Sequence, residues 1–245
     1  MDWTYFYAEG MPFVKAYSWP HLAYLAACAL LIALTVIFRK KLYAHRKGVA
    51  IAAAVISIFQ QVVLLYGWNF AIAANYWEDG LPLHMCRVAC ISGVIFLFGK
   101  NHKVMDIMFS FGIFAMVSLF YPSGVYHFLH ISGISYMINH ILTVLIVLFA
   151  ALCYDWRPSW KGFLRSVVAF TVFMPCAMIA NAIIPKANYF YLTDRPFGFL
   201  MPIPLHIYAP FIYFFVIACF ALIHFIVIEL LKRFVKTKEK QELLV

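Results

Sequence analysis

Seven stretches of the chain are apolar for long enough to cross a bilayer, and the polar residues gather between them. Their approximate spans are 20–38, 48–74, 82–99, 103–120, 135–154, 163–185 and 205–231. A hydrocarbon core about 30 Å thick is crossed by roughly 20 apolar residues in a helix. Each run therefore predicts a membrane-spanning helix. The second exceeds that length and has room to tilt or to project beyond the bilayer. No repeat of 20–50 residues interrupts the series. The pattern predicts one all-α domain over residues 1–245, a polytopic membrane protein with seven transmembrane helices.

Composition agrees with the pattern. Of 245 residues, 65% are hydrophobic and 12% are charged, about half the charged share of a soluble domain. The six cysteines, at 28, 86, 90, 153, 176 and 219, have no repeated spacing. They suggest neither a disulfide framework nor a zinc motif. Met1 to Trp19 carries no secretory leader pattern.

The net charge of +9 raises the question of nucleic acid, and its distribution answers against it. Fifteen basic residues fall in alternate connections: Arg39, Lys40, Lys41, Arg46, Lys47, Lys100, Lys103, Arg157, Lys161, Arg165, and five between Lys232 and Lys240. The other connections hold Lys15, Lys186 and Arg195, with Arg87 at a helix mouth. By the positive-inside rule the N-terminus is expected outside and the C-terminus in the cytoplasm. The expected location is a cell membrane, of the bacterial plasma-membrane type.

Most polar side chains then fall near the outer helix ends. The densest group is Leu81-Pro82-Leu83-His84-Met85-Cys86-Arg87. Ionisable groups in a membrane segment are costly and so raise the question of function. A cysteine near a helix N-terminus and a positive charge favours its thiolate. With Pro82 as first helical residue, however, Cys86 falls in the second turn, where the dipole effect has faded. The alternative is a packed cysteine. His84 and Arg87 share one helix face, whereas Cys86 aligns with Cys90. A base for Cys86 would then come from elsewhere, from His140, His127 or His206, leaving His84 and Arg87 to hold an anion such as a lipid phosphate.

Counted from the predicted helix ends, Cys86, His140 and Asn181 lie at one depth, just inside the outer interface. Asn188, Tyr191 and Arg195 belong to an aromatic outer loop, in which Arg195 suits bidentate phosphate contact and the tyrosines suit an interfacial belt. Gln60 and Gln61 fall mid-membrane and suit interhelical hydrogen bonds. His127 and His130 are three apart in a stretch that reads as a loop. Without an HExxH or a carboxylate set, neither metal nor cofactor is expected.

The block LPLHMC, the His127 to His140 pair around an aromatic loop, and NYFYL leading to Arg195-Pro196 resemble the bacterial YwaF-like integral membrane family. That family is similar to the animal transmembrane protein 164 acyltransferases. The resemblance runs from about residue 50 to 230. It implies seven helices and acyl transfer between phospholipids, with Cys86 as the essential residue. Arg87 after the cysteine, and Asp194-Arg195 in the tyrosine loop, depart from the family pattern.

The expectation is a thiol-dependent lipid acyltransferase or transacylase working near the outer leaflet. Its catalytic group is Cys86 with His140 or His127. Its lipid-binding set is His84, Arg87, Asn181, Asn188, Tyr191, Arg195 and His206, and its partners are membrane phospholipids. The rival reading is a protein that binds or transports a lipid or small amphiphile without chemistry.

Overall fold

The computed structural model describes residues 4–7, 11–66, 80–122, 124–127, 129–195 and 198–242. Residues 67–74 of the second predicted span and Pro196 of the tyrosine-loop motif lie outside them, as do the side chains beyond Arg233. The described chain is helical: α1 Thr4–Tyr7, α2 Trp19–Ile37, α3 Arg39–Ala44, α4 Arg46–Ile58, the π-helical π1 Phe59–Tyr66, α5 Met85–Gly99, α6 His102–Phe120, α7 Ile131–Cys153, α8 Trp160–Ile183 and α9 Leu205–Glu242. Two 3₁₀ turns, Tyr189–Tyr191 and Gly198–Leu200, shape the connection before α9.

Among the described residues, six helices are long and apolar enough to cross a membrane: α2, α4 with π1, α6, α7, α8 and α9 up to Arg233. The remaining predicted span, the third, is the shorter α5, with 15 residues. At 1.5 Å per residue it extends only about 22 Å. Leu30, Ile37, Val168, Val172, Phe214 and Leu222 all face outward, an apolar surface suited to lipid.

The core forms where α6 runs between α5, α7 and α8. Phe111 of α6 is fully buried and meets Phe170 and Phe173 of α8 and Phe220 of α9 at ring-centroid distances of 5.5–6.1 Å. Lipid competes equally for apolar side chains, so close packing has to come from shape and from small residues. Gly112 shows this between α6 and α7. A methyl there would lie 2.8 Å from Thr143 Cγ2.

Two helix starts differ from expectation. The third predicted span begins at Met85 instead of Pro82, with extended His84 as N-cap. A proline disfavours helix for the residue before it, and Leu81 is also held on both sides. Its N–H donates to Tyr189 Oη at 2.8 Å, and its carbonyl accepts from Arg87 at 3.0 Å. Cys86 is therefore the second residue of α5, within the first turn, where the helix dipole is strongest. The fifth predicted span begins earlier, at Ile131, because buried His130 caps it by accepting from the Ser132 N–H at 3.2 Å.

The end of the bundle away from Cys86 is closed by a buried carboxylate. Asp106, in the first turns of α6, accepts from Trp156 Nε1 at 3.0 Å and pairs with Arg165 of α8 at 2.6 Å. Its backbone carbonyl accepts from Ser166 at 2.9 Å.

The other end is covered by the N-terminal segment. Val14 donates to the carbonyl of Val125 at 2.8 Å, and His127 donates its N–H to that of Pro12 at 3.2 Å. Buried His21 accepts from the Tyr17 N–H and donates to the carbonyl of Leu119, both at 2.8 Å.

Candidate functional site

Tyr136, in the second turn of α7, touches one residue singled out in the sequence and lies near two others. Its ring stacks on His140 with centroids 3.8 Å apart. Its hydroxyl donates to the Ser118 carbonyl at 2.8 Å and lies within electrostatic range of Cys86 and Tyr191. Tyr136 and His140 are four residues apart and so share a face of the helix.

His140 is 1% exposed. Its Nδ1 lies 2.6 Å from the Tyr136 carbonyl. A carbonyl only accepts, so Nδ1 carries the proton. In the neutral ring, Nε2 then holds the lone pair. Nε2 is buried and makes no hydrogen bond to the described residues. An imidazole oriented through one nitrogen and open at the other is arranged as a base.

A second polar row lies beside it. Ser135, Asn139 and Thr143 follow the same four-residue spacing and are buried. Ser135 Oγ lies 2.8 Å from Gln60 Oε1 and 2.9 Å from the Gln60 carbonyl. Gln60 Nε2 lies 3.4 Å from both Asn139 Oδ1 and Cys90 Sγ. Asn139 Nδ2 donates to the Cys86 carbonyl at 3.4 Å. π1 is what makes this row possible. Widening a helix to i→i+5 bonding frees backbone acceptors and is frequent at functional sites. Here the Gln60 carbonyl faces Ser135.

Cys86 is half-buried. Cys90 sits one turn below it on the same face, as its spacing predicts, and is also within electrostatic range. Cys86 and Asn139 are in contact, so the common depth expected of α5 and α7 takes the form of a touching pair.

The expected lipid-binding residues have a different character. Arg87 is buried, donates back to Leu81 and lies 5.9 Å from the Tyr66 ring. The His84 ring packs 5.3 Å from Tyr189. Asn181 exchanges two bonds with the Tyr189 backbone, at 2.9 and 2.7 Å. Asn188 Oδ1 accepts from Thr193 and from the Asp194 N–H, and its Nδ2 donates to the Asp194 carbonyl at 2.7 Å. Arg195 donates to the carbonyls of Leu200 and Met201 and stacks 4.2 Å over Tyr208. These side chains build the mouth of the site. Tyr191 is 47% exposed and stands at its rim. His206 is exposed in the first turn of α9. His127 belongs to the N-terminal clasp, and burial lowers its pKa from the usual histidine value.

Reasoning from sequence missed Tyr136, Ser135 and Gln60 as members of the site. The available signal was the double i, i+4 row of 135, 139, 143 and 136, 140 within an apolar helix.

These features define an all-helical, multi-pass membrane protein with a buried polar row beneath a cysteine in the first turn of a helix. The chain belongs to the TMEM164 family, whose model matches residues 16–228, from before α2 into α9. It is 26% identical over 192 residues to an uncharacterized protein of Treponema pallidum (strain Nichols), covering 77% of this chain and 79% of that one. No solved structure matches it.

Proposed function

We propose that this protein is a membrane-embedded, thiol-dependent acyltransferase or transacylase that takes an acyl chain from a phospholipid onto Cys86. The observation that carries the reading is the placement of Cys86 in the first turn of α5, in contact with Asn139 and within electrostatic range of Tyr136, on which His140 stacks. A helix N-terminus favours the thiolate. His140, protonated at Nδ1 and unbonded at Nε2, is the general base. Attack on the ester carbonyl forms a thioester and releases a lysolipid. The hydroxyl of a second lipid, or water, then resolves the thioester, with the same imidazole as base. Anion recognition falls to the helix mouth, where Arg87 and His84 sit beside the outer loop. Expected placement near the outer leaflet follows from the basic connections.

The test is incubation of purified protein with a phosphatidylcholine carrying an alkyne-tagged acyl chain. Label removable by neutral hydroxylamine is expected on the parent and absent from Cys86→Ala. Equal labelling of that variant excludes the mechanism.

A further inference from the structure

We infer that Asn139 is the oxyanion donor of this acyl transfer, and that Gln60 and Ser135 are positioning residues that aim it. The inference rests on the Cys86 reading above and adds to it a group that neither the cysteine nor the histidine can replace.

The argument starts from the chain of bonds. Ser135 Oγ has a single proton, shared between the Gln60 carbonyl at 2.9 Å and Gln60 Oε1 at 2.8 Å. That contact turns the Gln60 amide so that its Nε2 faces Asn139 Oδ1 and Cys90 Sγ. With Oδ1 engaged, the Asn139 NH₂ group must point the other way, toward Cys86. Each amide is thus oriented by the one before it, and aligned hydrogen bonds in a low-dielectric interior reinforce one another.

Asn139 is 6% exposed and Gln60 1% exposed. Burying two primary amides in a membrane core is costly unless their partners are good. Yet the bond from Gln60 to Asn139 and the bond from Asn139 to the Cys86 carbonyl are both 3.4 Å long. Strong bonds of this kind lie nearer 2.9 Å. Packing alone would be served better by an apolar side chain at 139. A donor held loosely against the nucleophile's own residue is free to turn to a better acceptor.

That acceptor arises during the reaction. The Cys86 thiolate attacks the ester carbonyl, the C–S bond forms, and the carbonyl π pair moves onto oxygen. The resulting oxyanion accepts from Asn139 Nδ2. When the pair returns, the C–O bond breaks, and the lysolipid alkoxide leaves with the proton that the base took from the thiol. A donor that engages this oxygen acts only where the charge develops, so it speeds acylation without tightening substrate binding.

The experiment follows acylation of Cys86 by p-nitrophenyl decanoate in detergent micelles, read as the nitrophenolate burst. In parallel it follows alkylation of the same thiol by iodoacetamide, which forms no oxyanion. Asn139→Leu is expected to slow acylation by about 10²–10³-fold while leaving alkylation within about threefold of the parent. Ser135→Ala, a milder change that frees Gln60 to rotate, is expected to slow acylation roughly tenfold with alkylation unchanged, on the scale of a partly lost donor. If either variant acylates at the parental rate, or slows both reactions equally, the assignment is overturned. A burst retained in Cys86→Ala removes the nucleophile and the donor together. Loss of that burst beside a normal Asn139→Leu removes the donor alone.

Discussion

Asn181 and Tyr189 exchange two hydrogen bonds, from the Asn181 amide to the Tyr189 carbonyl at 2.9 Å and from the Tyr189 N–H to Asn181 Oδ1 at 2.7 Å. Tyr189 then uses its hydroxyl to hold the Leu81 N–H at 2.8 Å. The end of α8 therefore positions the residue before Pro82, and through it the start of the helix that carries Cys86.

Replacing Asn181 by Leu removes both bonds and leaves two buried backbone groups unpaired. The expected cost is about 2–3 kcal/mol, read as a lower thermal midpoint in detergent. Tyr189→Phe loses only the bond to Leu81 and is expected to cost about 1 kcal/mol. Its larger effect is expected on Cys86, as slower alkylation by iodoacetamide, because the first turn of α5 is less well held. An unchanged alkylation rate in Tyr189→Phe removes this link.

Asp106 is a buried carboxylate held by Arg165 and the Trp156 indole. Arg165→Ala leaves that carboxylate, 4% exposed at its side chain, with its charge unpaired and is expected to cost about 3 kcal/mol or more. Asp106→Ala leaves the Trp156 indole unpaired, while Arg165, 39% exposed at its side chain, can turn to water, so it is expected to cost about 1–2 kcal/mol. Thermal midpoints of the two variants, compared with the double variant, measure the coupling. Equal losses from both single changes contradict the asymmetry.

Gly133 lies in the first turn of α7 beneath the preceding loop. A Cβ there would stand 2.5 Å from the carbonyl oxygens of both Tyr126 and His127. Neither oxygen is the far end of a flexible side chain, so the backbone itself must shift. Gly133→Ala is expected to destabilise by about 1–3 kcal/mol, in the range of overpacked sites. Proteolysis of the 121–130 connection should rise with it. An unaltered thermal midpoint and cleavage rate would show that the loop yields freely.

His127 gives the clasp a pH dependence. Burial lowers its folded-state pKa below the ordinary value of about 6.5. Above that value the ring is neutral in both states and costs nothing. As pH falls through it, the unfolded chain takes up a proton that the folded chain resists, so stability falls until the folded-state pKa is reached. The thermal midpoint is expected to drop between pH 7.5 and 5.5, and to drop less in His127→Gln. Equal drops in the two proteins contradict this.

The helices were readable because the bilayer demands long apolar runs, and runs such as 103–120 and 163–185 fall within three residues of the observed helices. Their starts were less readable. Pro82 has the right residue type for a first helical position, yet Tyr189, over a hundred residues away, holds Leu81 out of the helix. The same limit applied to the site. Asn181, Asn188 and Arg195 read as ligand-binding because they are polar at a helix mouth. Their partners are backbone groups of their own loop, which no spacing rule reveals. Asn139 stands next to His140 in the sequence, but its contacts come from Gln60 and Cys86 on other helices, which the sequence does not show.

The bridge between Phe13 and Tyr126 carries a counting rule. Two backbone segments that bond to one another lie on the same side of a membrane, so the chain between them crosses an even number of times. Among the described residues, α2, α4 with π1, and α6 supply three crossings by length. Parity asks for a fourth, and α5 is the helix that stands between them. A helix of 15 residues that completes a crossing leaves its first turn recessed below the surface. Lipid beside it would thin, or water would enter, and the ester linkages of a neighbouring phospholipid would settle to the level of Cys86. Accessibility labelling of single cysteines placed at Lys15 and Gly124 reads the parity directly: both should react from one side.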